Sequence, residues 1–550
     1  MHQLTRRQLL AAAGGAATLV LVGCGSGDEN GDQNLDGKRV GAMDDYGVGD
    51  QFKAAEALTF SIAILDNPGY PYKADWPFFQ ELSKRTNIKF DATVIPLSDY
   101  NQKRSVMVAA GNAPWIIPKT YHPSEEEYIA GGAVLPVSDY VHLMPHFQDK
   151  VKKWNLQPDI DAALKQADGK YYLLPGLHED AWLDYSLAMR TDILAQLNLQ
   201  VPTTWDELTT VLRAMKQAHP DVYPLSDRWS TTPEGPGANN LLAHMSDAYD
   251  TRAGWDWRAY HWDPGASKFV FPGAMDNYRQ ILQYLNTLVS EKLMDPESFT
   301  QQDDLAKQKF GTGKSFVIST NAQELINSYR KDLTARLPGA KVEKITRLMG
   351  PMGATKRQTR LESGVMISKK ALDSKNFVAM MQFVDWLWYS DEGQTLAKWG
   401  IKDQTFTGSA EEGTLKLASD VDWAGLNPSG SKKLNVDYGY LNGVFAYGGS
   451  TKFLNSQFTE EEKKFQEAMA QRKLRPEDPA HPLTPEEREQ TTLWATALKD
   501  HVNQQSLRFI LGQRPLSDWN AYVSELKGKN MDQLIEVHNK AYERFKKEHG

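Results

Sequence analysis

Flat rings and planar polar groups are concentrated outside the periodic stretches of this sequence. Tyr70, Trp76, Trp115, Trp182, Trp229, Trp257 and Tyr438 lie in or beside loops rich in Gly, Pro and Asp, as do Tyr72, Trp255, Trp262, Trp423 and Tyr440. Asp66, Asn67 and Asp180 are close to them in sequence, with Glu179, Asp184, Asn239 and Asn240. A sugar presents flat C–H faces that stack on aromatic rings, and hydroxyls that need planar hydrogen-bonding partners. For any one ring, core packing is the ordinary use; as a set, the residues suit a carbohydrate cleft. The candidate ligand-binding residues are Asp66, Asn67, Tyr70, Trp76, Trp115, Asp180, Trp182, Trp229, Trp257 and Tyr438. Trp386, Trp388 and Trp399 fall at helical spacing and are expected in a core.

Motifs for covalent chemistry fail one by one. Gly311-Thr312-Gly313-Lys314-Ser315 resembles the end of a phosphate-cradling loop, but Gln308 stands where the motif needs its first glycine. Phe316-Val317-Ile318 then reads as a strand, not as a phosphate-holding helix. The histidines are dispersed and no His-Glu-x-x-His occurs. The only Gly-x-Ser-x-Gly-like run, around Ser26, falls outside the expected folded body. Carboxylates are plentiful, yet no pair stands out from an ordinary solvated acidic surface. Asp420, Asp422, Asn427 and Gly430 have the wrong spacing for an EF-hand and read as a turn. No catalytic residue, metal site or cofactor is expected.

Cys24 is the one cysteine in 550 residues, and it directly follows Leu21-Val22-Gly23. Upstream are Thr5-Arg6-Arg7-Gln8-Leu9-Leu10 and a short apolar run rich in Ala and Gly, too short for a membrane span. The set resembles a lipobox, in which the cysteine is acylated and becomes the mature N-terminus. The paired arginines resemble a twin-arginine signal. Such a lipid would hold the chain on a membrane durably. Residues 25–56, rich in Gly, Asp and Asn, read as a disordered tether.

The rest is long enough for two lobes, and 41% of the sequence is hydrophobic, which supports packed cores. The formal charge is -8 with dispersed Lys and Arg, which argues against a nucleic-acid binder. One cysteine excludes a disulfide framework.

The rings need elements to hold them. Leu58, Phe60, Ile62 and Ile64 alternate with smaller or polar residues and predict a strand. A helix through Trp76, Phe79 and Leu82 and a strand through Ile88, Phe90 and Val94 complete a parallel unit. A helix is expected from Asp99 to Ala110, then a short strand at Trp115-Ile116-Ile117. Ser124 with Glu127 predicts another helix start. Thr204 with Glu207 caps a helix whose buried face is Leu208, Val211, Leu212 and Met215. Further helices are expected over Met275–Leu293, from Phe377 through Trp388, after Thr459 and Thr484, and from Met531 through Phe545.

Several runs, in order, resemble the extracellular solute-binding proteins of ABC importers, the family that includes maltose-binding protein, and in particular its long oligosaccharide-binding lipoproteins. They are Asp168-Gly-Lys-Tyr-Tyr-Leu-Leu-Pro175, Arg190-Thr-Asp-Ile-Leu194, Pro202-Thr-Thr-Trp-Asp-Glu-Leu208, Phe310-Gly-Thr-Gly-Lys314, Asp391-Glu-Gly-Gln394 with Trp399-Gly400, and Phe509-Ile-Leu-Gly512 through Tyr542. Pro114-Trp115 and the run after Gly400 depart from the family pattern. The resemblance implies an α/β, two-lobed periplasmic-binding-protein-like fold with hinge crossings and a helical C-terminal extension. It implies lobe 1 from 57–176 plus 349–402 and lobe 2 from 177–348 plus 403–550. Crossings are expected near Pro175–Glu179, near Leu348–Gly353 and after about Gly400. The implied function is a monomeric receptor, held by lipid on Cys24 at the outer face of a bacterial membrane, that passes an oligosaccharide unaltered to ABC permease subunits. A secreted glycan-cleaving enzyme and a peptide-binding receptor are the alternatives.

Overall fold

Strand Leu58–Asp66 lies second from one edge of the larger, six-stranded sheet. In the computed structural model, which describes residues 35–549 except 68, 229–239, 358 and 442, it pairs in parallel with Ile88–Pro96, from Leu58 opposite Ile88 to Asp66 opposite Pro96. On its other side lies Ile116–Thr120, also parallel. Helix Pro77–Thr86 makes the crossover. Ala63 and Leu65 are buried as well as Ile62 and Ile64, because this strand is covered on both faces. Leu361–Ile367 and Leu174–His178 extend the sheet antiparallel, and Gly448–Gly449 closes its edge. Helix Phe377–Tyr389 is buried along its whole length, with Trp386 and Trp388 inside the core as expected.

The second lobe is built on a three-stranded antiparallel sheet, with Ser186–Arg190 between Val317–Thr320 and Val342–Ile345. Helix Trp205–Ala218 starts at Thr204, whose Oγ1 accepts from Glu207 N at 3.1 Å, and it buries Leu208, Val211, Leu212 and Met215. Helix Pro485–Ile510 opens with the full reciprocal cap between Thr484 and Glu487. It packs with Asp276–Ser290 and the C-terminal Met531–His549 around one core containing Leu282, Leu285, Leu498, Phe509 and Leu534.

Four expectations need correction. Residues 35–56 are not a free tether. Val40 N donates to Lys375 O, Met43 N to Gln382 Oε1 and Tyr46 OH to Asp385 Oδ2, while Phe52 is fully buried against Phe383. Four well-placed anchors outweigh a polar average. Residues 403–449 belong to lobe 1, not lobe 2. Trp423, Leu434, Tyr440 and Phe445 fill the first core, and the chain crosses only after Gly449. That segment has almost no periodic signal, so its order along the chain misassigns it. The second crossing also falls later than Leu348–Gly353. Met349 bridges Thr204 and Met352 N donates to Ala248 O, so the chain leaves lobe 2 between Gly353 and Leu361. The start expected at Ser124 is only a 3-10 turn over Glu126–Tyr128.

Cys24 with its signal, residues 25–34, Trp229 and Asn239 lie outside the described residues. No described helix is long and apolar enough to cross a membrane.

Candidate binding cleft between the lobes

Parallel strands place their ligand sites beyond their C-terminal ends. Directly after strand Ile116–Thr120 comes Tyr121, 44% exposed. On the second lobe Trp255 is 46% exposed and packs edge-on against Tyr185, with ring centroids 4.8 Å apart. Among the described residues these are the only exposed large aromatic side chains. Tyr185 is close enough to Tyr121 for the two hydroxyls to interact electrostatically, which puts the Trp255–Tyr185 pair near Tyr121 across the lobes. The gap continues into a cavity of about 490 Å³ lined by Tyr121, Glu126 and Glu362 on the first lobe and by Trp257, Tyr260 and Arg488 on the second. This size lies within the range of small-ligand sites.

Two features close the cleft. At its mouth, Arg488 on the long helix donates to Glu126 Oε2 and Gln166 Oε1 of the first lobe. Burial pushes the Glu126 carboxyl up, but the charges of Arg488 and His122 outweigh it and hold the group below its ordinary value. At the crossings, Trp182 stacks on Phe458 with centroids 5.7 Å apart, and its Nε1 lies 3.3 Å from His178 Nε2. His178 Nε2 is also 2.6 Å from Glu362 Oε2.

Beside Glu362 the first lobe carries two lysines. Lys119 has φ +58°, a rare backbone conformation for a side-chain-bearing residue, and its Nζ bonds the Tyr447 hydroxyl. It is 5.5 Å from the Tyr121 ring centre. Lys398 Nζ is 5.1 Å from the Tyr447 ring centre. Opposite, burial pushes the Asp184 carboxyl up to about 7 despite Lys344. Lys344 itself pairs with Glu462 at 2.6 Å, both buried.

The residues selected from sequence are scattered. Trp257 lines the cavity, packed at right angles to Phe271. Trp182 forms part of the floor, and Tyr70 stands beside Lys119 and Tyr447. The others are elsewhere. Asp66 Oδ1 accepts from Tyr72 N and Asn67 Oδ1 from Gly69 N, so both oxygens shape their own loop. Trp76 is core: it is buried, donates to Val436 O, and lies so close to Gly439 that a Cβ there would sit 2.3 Å from its ring. Tyr438 stacks on the buried Tyr440, and Trp115 leans on Phe60. Asp180 Oδ2 accepts from Thr451 Oγ1 at the third crossing.

Tyr121, Tyr185, Tyr260, Tyr447, Lys119 and Lys398 were not selected from sequence. The position of Tyr121 at the end of an apolar strand was a usable signal. The others come together only through the crossings. The turn reading of Asp420 and Asp422 agrees with the structure, where they pair with Lys432 and Lys433 at 2.8 and 2.7 Å. Among the described residues no cluster of His, Cys, Asp or Glu could hold a metal ion. Gly311–Gly313 ends a helix and leads into strand Val317–Thr320, as expected.

Known proteins share this architecture. The alginate-binding protein AlgQ2 superposes with a TM-score of 0.69 at 19% identity, over 90% of this chain and 99% of that one. That likeness establishes the two-lobed solute-binding fold. The polygalacturonan/rhamnogalacturonan-binding protein YtcQ of Bacillus subtilis is 26% identical over 50% of this chain and 52% of its own. The fructooligosaccharide ABC transporter substrate-binding protein FusA of Streptococcus pneumoniae is 24% identical over 54% of this chain and 55% of its own. The chain thus spans about half the length of these curated relatives. The family profile described as bacterial extracellular solute-binding protein matches residues 78–412, more than half of the sequence, and the chain belongs to that family.

Proposed function

We propose that this chain is the substrate-binding component of an ABC importer, capturing an oligosaccharide between its lobes and releasing it unaltered to the permease. The observation that carries the reading is the pair of exposed rings, Tyr121 and Trp255, on opposite lobes of one cleft. Rings on both jaws can stack on both faces of a sugar, and their affinity is felt only when the jaws close. YtcQ, FusA and AlgQ2, named for the saccharides they bind, support a glycan over a peptide. The receptor acts as a monomer at the outer face of the membrane. Anchoring through an acylated Cys24 is supported by the Leu-Val-Gly-Cys run.

A thermal-shift screen against a glycan panel tests capture, because a ligand bound only to the folded state raises the melting temperature. A hit must then be recovered intact after incubation. Shortened products would establish the glycan-cleaving alternative, and a panel with no shift beside a peptide that shifts would establish the peptide receptor. Metabolic labelling with a fatty-acid analogue, lost in Cys24→Ala, tests the anchor.

A further inference from the structure

Two lysines of the first lobe stand beside the cavity with no carboxylate paired to either. Among the described residues Lys398, 8% exposed, makes no ion pair and donates no hydrogen bond, and Lys119 reaches only a neutral phenol, that of Tyr447. The two ammonium groups lie 4.7 and 5.1 Å from the centre of that one ring. Tyr70 and Tyr121 complete the surround of Lys119. The one carboxylate near both is Glu362, which is engaged by His178 at 2.6 Å and is not within ion-pair distance of either lysine. A buried ammonium without a counter-ion is costly, and proteins keep one where it serves a site. Burial and the charge of Lys119 pull the Lys398 group down to about 8 against the opposing pull of Glu362, as expected of an ammonium lacking its anion. The pair adjoins the cavity, whose wall includes Tyr121 and Glu362.

We propose that the oligosaccharide is acidic, and that Lys119 and Lys398 together hold the carboxylate of a uronic acid residue while Tyr121 stacks on its ring. This rests on the capture of a sugar in the interlobe cleft. A carboxylate supplies the missing counter-charge with two acceptor oxygens, one for each ammonium. A neutral sugar would leave both charges buried and unpaired in the closed cleft.

The test is calorimetric titration of the purified protein with oligogalacturonate, oligomannuronate and oligoglucuronate, each beside its methyl ester and a neutral oligosaccharide panel. The esters keep shape and remove charge. At least one acid should bind about 10- to 100-fold more tightly than its ester. That gap should shrink with added salt and vanish in Lys119→Met and Lys398→Met. Melting without sugar checks that each variant folds; should one fail, the other and the salt dependence still decide. Esters binding as well as acids, neutral sugars binding alone, or a gap that survives both substitutions would overturn the uronate site and leave sugar capture standing. Failure of every sugar, charged or neutral, would overturn sugar capture itself.

Discussion

The two walls of the cleft treat positive charge in opposite ways. On the second lobe four buried or nearly buried cations each have a carboxylate: Lys344 with Glu462, Arg228 with Glu324 and Asp303, Arg252 with Asp256 and Asp478, Arg475 with Asp247 and Asp250. On the first lobe Lys119 and Lys398 flank an aromatic ring and make no ion pair, the nearby Glu362 being engaged by His178. Closed ion pairs fix one wall before any ligand arrives. Open ammonium groups leave the other wall to be completed by what it binds. The same residue type therefore builds a scaffold on one side and a site on the other, and substitutions should separate the two.

The largest effect is expected on the scaffold side. Lys344→Met leaves Glu462 buried without its partner, and breaking a buried pair in this way costs about 3–5 kcal/mol. Urea unfolding should register that loss. Trp76→Ala belongs to the same class, at about 3–5 kcal/mol, because this ring is core. If Trp76→Ala instead melted like the parent and lost only sugar binding, the placement of that ring would be wrong.

Lys398→Met should move stability the other way. The lysine group, ordinarily near 10.5, is pushed down to about 8 chiefly by burial and secondarily by Lys119, with Glu362 opposing. Between about pH 8 and 10.5 the unfolded chain binds the extra proton, so this lysine makes stability rise with pH over that window. Below pH 8 it is charged in both states and the burial penalty is fully present. Removing it should stabilise the sugar-free protein at pH 7 by an amount on the order of 2–4 kcal/mol and flatten the rise above pH 8. Melting temperatures from pH 7 to 10.5 measure both. Destabilisation at pH 7 would show that Lys398 has an internal partner and would erase the contrast between the walls.

Trp255→Ala and Tyr121→Ala probe the exposed rings of the two lobes. Each should weaken sugar binding by about 1–2 kcal/mol, with melting of the free protein little changed because both rings are half exposed. Titration calorimetry reads the difference. Normal affinity in both would move the sugar away from these rings.

The contrast between walls was only partly legible in the sequence. Periodic segments spoke clearly: the alternation from Leu58 to Ile64, the cap at Thr204 and the apolar helix from Phe377 all form as read. Ordered motifs gave the two-lobed fold. Loop aromatics did not separate into core and cleft, because Trp76 and Trp255 have the same kind of neighbours along the chain and opposite exposure in space. The lysine pair left no trace, since Lys119 lies in one strand and Lys398 near the end of a helix nearly three hundred positions later. Residues 403–449 were misplaced for a related reason. Their attachment depends on the edge pairing of Gly448–Gly449 with Leu177 and His178, which no local pattern encodes.

The smallest effect concerns Arg488, a cation that links the walls. Arg488 belongs to the second lobe but donates to Glu126 and Gln166 of the first, so it is satisfied only while the jaws are together. It is a closed pair like those of the scaffold, yet it can open. Its Glu126 side chain is about a third exposed, which screens the pair and keeps its worth near that of a partly exposed bridge, about 1 kcal/mol. Glu126→Gln keeps the hydrogen-bonding oxygen and removes the charge. Overall melting should hardly change, because each lobe has its own core. The balance between open and closed forms should shift about fivefold toward open at a cost of 1 kcal/mol, and sugar affinity should fall in step wherever closure limits binding. Dyes placed on the two lobes would report that shift by energy transfer, with and without sugar. An unchanged distance distribution would mean that Arg488 merely rests on the first lobe, and that closure depends on the ligand alone.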